Sequence, residues 1–222
     1  FGQIHAQDDN RRARLPLVAM VRAAAMNHLA HSLLAGDDEG LRLGGMLGDF
    51  VHGRPDPARW PSRVIDGIRL HRAIDVYTDT HPEVLAAKAR LPPPYRRYAG
   101  ILLDMWFDYC LARDFSRWSV QPLPEYSLAL RGLLWRRDGL LTPALRQFRG
   151  FMEANDRPAG YADRALLGRA LAGIGQRLSR ANPLDSALPV LVERQDELQR
   201  RFEAFFPQLQ GFVGDWMGEH LR

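Results

Sequence analysis

The residues HRAID, His71 to Asp75, set a histidine and an aspartate four apart among Ile, Leu and Val. In a helix, positions i and i+4 share a face, so both side chains point the same way, and Asp79 follows one turn later. Asp104 and Asp108 repeat the spacing in LLDMWFDY, Asp49 ends the run GGMLGDF, and His28 and His31 lie three apart in MNHLAH. Each group is embedded in apolar sequence, where a buried carboxylate is costly unless something offsets its charge. Arginine can do so. A divalent cation does it better where several carboxylates converge, since without one they repel and take up protons. A mixed histidine and carboxylate shell suits Mn²⁺, Fe²⁺, Mg²⁺ or Zn²⁺, and no thiolate narrows the choice. Such a centre would activate water and polarise a phosphoryl oxygen. Arg72, Arg96 and Arg97 would then supply charge for a phosphate. Taken singly, each pair also suits an ordinary helix surface. The case for a joint site is recurrence, because four successive helical segments carry polar groups in apolar surroundings.

The elements that must position these groups read as helices nearly throughout. MNHLAHSLLA is a short amphipathic stretch ended by Gly36, and LRLGGMLGDFVHG is a second helix closed by Gly53. The glycines of the second would let backbones come close. A third helix spans WPSRVIDGIRLHRAIDVYTD, with Pro61 at its start and Val64, Ile68, Ile74 and Tyr77 near helical spacing. THPEVLAAKARL starts a further helix behind Pro82, and LPPP breaks the chain. YRRYAGILLDMWFDYCLARDF is strongly apolar, and LPEYSLALRGLLWRRDG ends at Gly139. Thr142 and Asp163 are in place to cap the next two helices, and from Leu188 a long amphipathic helix continues past Pro207. No alternation of the kind that marks a strand is present. The expectation is an all-α, single compact multi-helix domain.

Among 222 residues, 46% are hydrophobic, enough for a core. No run reaches the ~18 apolar residues of a membrane helix. The single cysteine, Cys110, lies in the apolar run WFDYCL and reads as a core thiol, in keeping with a cytoplasmic location. The formal net charge is +4, and Lys88 is the one lysine among 30 basic residues. That balance favours an anionic partner. With no lysine-rich tail, zinc-finger spacing or aromatic RNA motif, nucleic acid is not the expected one. Residues 1–25 are polar before they turn apolar at LPLVAMVRAAA, and read as an N-terminal extension rather than a secretory signal.

The order MNHLAHSLLAG, GGMLGDFVHG, GIRLHRAIDVYTDTHP and RRYAGILLDMWFDYCLARDF resembles the acyl carrier protein phosphodiesterase family, also called holo-acyl-carrier-protein hydrolase. The resemblance covers 26–222, is most specific over 26–118, and leaves the extension 1–25 outside. It implies a helical, HD-domain-like fold and a hydrolase that releases 4′-phosphopantetheine from a serine of holo-acyl carrier protein. The implied cofactor is Mn²⁺, with Mg²⁺ or Fe²⁺ as substitutes, and the implied partner is an acidic carrier protein steered by arginines. Carried over by position, His31, Asp49, His71, Asp75 and Asp108 would hold the metal. Asp49 would be central to catalysis, and Asp104 would act as an outer-shell group or base. Arg72 and Arg97 would contact the phosphate, and Asn27 would orient a ligand. His28 is expected to pack, and Asp79 has no assigned role. No His-Asp dipeptide of the usual HD pattern occurs anywhere, so HRAID must stand in for it. Two other readings stay open: an HD-type phosphohydrolase acting on a nucleotide or small phosphodiester, and a non-enzymatic helical adaptor for an acidic protein.

Overall fold

The computed structural model describes residues 28–221, in which ten α-helices and several 3₁₀ turns account for all regular structure. They are α1 (His28–Leu34), α2 (Glu39–Leu47), α3 (Ser62–Thr80), α4 (Pro82–Arg90), α5 (Ala99–Arg113), α6 (Leu123–Arg136), α7 (Pro143–Ala154), α8 (Arg164–Arg177), α9 (Ala187–Glu193) and α10 (Gln195–His220). No strand occurs among the described residues. The all-α, single-domain expectation holds, while Asn27 and the extension 1–25 lie outside the described residues.

Helix α5 is the axis of the fold. Leu102, Leu103 and every residue from Met105 to Ala112 are buried, as expected of a helix that is apolar nearly all round. Trp106, Phe202 and Phe206 are among the largest fully buried side chains. Burying each contributes roughly 1.5–3 kcal/mol relative to exposure. Cys110 sits within this packing, and burial pushes its thiol up to about 12, so it is an inert core group. Helix α10 packs along α3 and α4 and runs through Pro207 without ending.

Capping defines several helix starts. Asp38 accepts from the Leu41 amide at 2.9 Å and also pairs with Arg63 at 2.8 Å, which ties the start of α2 to α3. His81 does the same for α4, its ring Nδ1 accepting from the Glu83 amide at 3.2 Å. Thr142 and Asp163 cap α7 and α8 as their positions predicted. The sequence reading differs at the C-terminal end. The segment from Leu188 reads as one helix, but the structure breaks it at Arg194, whose side chain bonds back to the carbonyls of Arg90 and Val190.

The crossing of α2 over α3 positions the site. A Cβ on Gly44 would run into the Val64 carbonyl, and one on Gly67 into the Leu41 carbonyl, so only glycine lets these backbones meet so closely. One turn later the chain leaves α2 through a 3₁₀ turn, Gly48–Phe50, which carries Asp49 toward α3. A Cβ on Gly48 would collide with the ring of His71.

Candidate metal centre

His71 is the hub. Its ring is 2% exposed, wedged against Gly48. Nδ1 donates to the Gly45 carbonyl at 2.8 Å, which commits that nitrogen's proton. Nε2 then faces two carboxylates: Asp49 Oδ1 at 3.0 Å and Asp75 Oδ2 at 3.3 Å. Asp75 turns its other oxygen to His31 Nε2 at 3.1 Å. The His31 and His71 rings stack with centroids 3.8 Å apart and planes 20° from parallel.

The protonation states follow from these contacts. Burial opposes charge on His71, but the Asp49 and Asp75 carboxylates outweigh it and raise the imidazole to about 10. Burial lowers His31, and the charge on the stacked His71 lowers it further, although Asp75 pulls the other way. The pair therefore carries one positive charge, on His71, and neutral His31 keeps one ring nitrogen unprotonated. Burial tends to raise Asp75, yet its close approach to the two histidines holds it well below the usual carboxylate range.

This arrangement suits a divalent cation. His31, His71 and Asp75 each offer a ligand atom within 4.8 Å of the others, and Asp49 reaches the group through His71. Ligand atoms bound about 2.1 Å from one ion lie roughly 3.0–3.4 Å apart, and the spacings of 3.1 and 3.3 Å fall in that range. The His31 to Asp75 approach is close but lacks hydrogen-bond geometry. Both ring nitrogens of His31, together with Asp49 Oδ2, are buried without a hydrogen bond among the described residues. Such atoms call for a further partner. The charges also match: replacing the His71 proton with a divalent ion would balance two carboxylates. The Nδ1 bond to Gly45 is the outer support by which ligating histidines are usually held.

The other expected residues divide. Asp108 is not brought into the cluster. Its carboxyl accepts from the amides of Leu29 and Ala30, both at 3.2 Å, and so fixes the start of α1, the helix that presents His31. The i, i+4 spacing with Asp104 is real, but the amides at the α1 start claim Asp108. Burial pushes it up to about 8 even against those donors. Asp104 is half-buried, and burial and then the charges of Asp75 and Asp79 raise it well above the usual range. It is therefore suited to hold a proton rather than to take one. Arg72 donates to the Val51 carbonyl at 2.7 Å, just beyond Asp49, and stands beside the site. Arg97 is exposed in the turn Tyr95–Tyr98, and no contact among the described residues joins it to the centre. Arg96 is engaged by the carbonyls of Leu91 and Ala89. Asp79 pairs with Lys88 at 2.9 Å, an exposed ion pair at the end of α3 rather than part of the cluster.

His28 was expected only to pack. It does pack, with its ring 4.5 Å from that of Phe148 and stacked toward Phe50. It also turns Nδ1 toward Asp49 Oδ2 at 3.7 Å, which places it at the edge of the centre. Its i, i+3 spacing from His31 on α1 was the signal for this.

A family model described as acyl carrier protein phosphodiesterase matches residues 26–209. The chain is similar to the acyl carrier protein phosphodiesterase of Enterobacter sp., 34% identical over 185 residues, which cover 83% of this chain and 95% of that one. That of Serratia proteamaculans is 32% identical over 187 residues, with the same coverage. That of Photorhabdus laumondii is 30% identical over 203 residues, covering 83% and 93%. No solved structure matches the chain.

Proposed function

This chain belongs to the acyl carrier protein phosphodiesterase family, and from that membership we propose that it hydrolyses the phosphodiester joining 4′-phosphopantetheine to a serine of holo-acyl carrier protein. The products are the apo-protein and free phosphopantetheine. The observation that carries the reading is the convergence of His31, His71 and Asp75, with Asp49 behind His71, in one buried cluster.

His31, His71 and Asp75 would hold a divalent ion, Mn²⁺ first and Mg²⁺ or Fe²⁺ as substitutes, with Asp49 completing the set. When bound, the ion supplies Lewis-acid stabilisation of phosphoryl charge and lowers the pKa of water. The chain's own residues do the rest. Gly45 fixes the His71 ring so that Nε2 aims at the centre. Asp49 and Asp75 compete with the proton on that nitrogen and supply the negative charge that draws a cation in. Arg72, steadied by the Val51 carbonyl, has guanidinium hydrogens left to orient a phosphate oxygen. Asp104 holds a proton that the departing serine oxygen requires. The net charge of +4 suits an acidic protein substrate.

The test is intact mass spectrometry of holo-acyl carrier protein incubated with the wild type and with Asp49→Ala, each with Mn²⁺. The wild type should remove the phosphopantetheine mass. Asp49→Ala should do so at least ~100-fold more slowly with helix content retained, because ligand-sphere losses are typically of that order. An unchanged carrier mass with wild type, alongside turnover of a nucleotide or small phosphodiester, would sink the proposed substrate. Full activity in Asp49→Ala would remove Asp49 from the site.

A further inference from the structure

A second set of arginines converges elsewhere in the fold. Arg157, Arg169 and Arg177 line a cavity of about 120 Å³ along α7 and α8, with Phe151, Ala170 and Ile174 among its apolar walls. It shares no residue with the His31, His71, Asp75 and Asp49 cluster, and no carboxylate lines it. Arg157 is 4% exposed, and its guanidinium sits between the rings of Phe151 and Tyr161, 5.1 and 4.9 Å from their centroids. Its Nε is buried and makes no hydrogen bond among the described residues.

Nearby carboxylates are taken by other arginines: Asp156 pairs with Arg131, and Asp138 with Arg146 and Arg149. Asp108 lines a small inner cavity together with Arg157 and Tyr161 and acts on Arg157 through its charge, but its oxygens are held by the amides of α1 rather than by the guanidinium. A buried guanidinium whose charge no ion pair neutralises directly is costly, so this geometry favours an anion from outside. One arginine sits within the packing while Arg169 is exposed and Arg177 half-buried on α8. That layout favours a compact group that reaches inward over a flat acidic surface. Guanidinium forks match phosphate oxygens, and three of them match a dianion.

We propose that the Arg157, Arg169 and Arg177 cavity is a binding site for a phosphate monoester group, separate from the metal centre. The apolar walls leave room for part of an organic body beside the phosphate.

The test is calorimetric titration of inorganic phosphate and of phenyl phosphate, with and without Mn²⁺, into the full chain and into an Arg169→Gln/Arg177→Gln variant. Those two positions are chosen because neither arginine is in the buried core, so the variant should keep its helix content and its Mn²⁺ binding. The wild type should bind phosphate without Mn²⁺, and the variant should bind it weaker by about tenfold for each arginine lost. Tighter binding of phenyl phosphate would support an organic monoester as the occupant, and equal or weaker binding would overturn the monoester in favour of free phosphate. The proposal is overturned if the wild type binds neither probe without Mn²⁺, or if the variant binds both as well as the wild type. Neither outcome depends on hydrolysis of the carrier protein.

Discussion

His71 holds a proton that a metal must displace. With Nδ1 committed to Gly45, a bound ion has to take Nε2, and that nitrogen is protonated in the metal-free protein up to about pH 10. Mn²⁺ binding between pH 7 and 9 should therefore release about one proton per ion, and apparent affinity should climb by up to ~tenfold per pH unit. Calorimetry in buffers of different ionisation enthalpy reads this directly, and binding with no proton release would exclude His71 Nε2 as a ligand. The same proton affects the metal-free fold. A histidine raised from 6.5 to about 10 contributes stability that is fully present below about 6.5 and is lost as pH rises through about 10. Asp104 makes the opposite kind of prediction. Burial and neighbouring carboxylates raise its pKa, so as the proposed proton donor it would act in its protonated form. Asp104→Asn should lower kcat, leave Mn²⁺ affinity near wild type, and remove the high-pH decline of the rate profile. A variant with wild-type kcat would remove it from the proton path. The sequence showed Asp104 as one of two equivalent aspartates. Nothing in LLDMWFDY told which would be taken by the amides of Leu29 and Ala30, because that depends on where α1 docks.

The glycines where α2 crosses α3 explain why the cluster forms at all. Gly44 and Gly67 bring α2 against α3, and Gly48 leaves space for the His71 ring. Gly48→Ala should push the ring off Gly45, destabilise the fold by about 1–3 kcal/mol through overpacking, and weaken Mn²⁺ binding. Denaturant unfolding and Mn²⁺ titration check the two effects, and a variant matching wild type in both would show that the ring does not depend on that space. Helix periodicity and capping residues made α3, α5, α7 and α8 legible from sequence, since those signals are local. The pairing of His71 with Asp75 was legible for the same reason. From the residues alone Asp49 was visible only as a polar residue behind glycines, and its place in the metal shell came from the family resemblance. The recruitment of His28 was signalled only by its spacing from His31, and the exposed pairing of Asp79 with Lys88 and the isolation of Arg97 were not visible, because each depends on how separate helices dock. The break at Arg194 was also hidden, since the apolar pattern continues across it while side-chain bonds to Arg90 and Val190 do not register in periodicity.

Across the whole molecule, three segments distant in sequence supply the centre: α1 with His31, the turn after α2 with Asp49, and α3 with His71 and Asp75. An ion held among them cross-links those segments in the folded state only, so it should raise the stability of the entire domain. Thermal unfolding of metal-free wild type and Asp75→Asn, with and without Mn²⁺, reads this. At an Mn²⁺ concentration about 100 times the dissociation constant, the linkage is worth ~2.7 kcal/mol. For a chain of this size that raises the midpoint by roughly 5–10 °C. The wild type should show that saturable rise and Asp75→Asn should show none. A wild-type midpoint indifferent to Mn²⁺, or an equal rise in both proteins, would mean that His31, His71 and Asp75 do not form a metal centre.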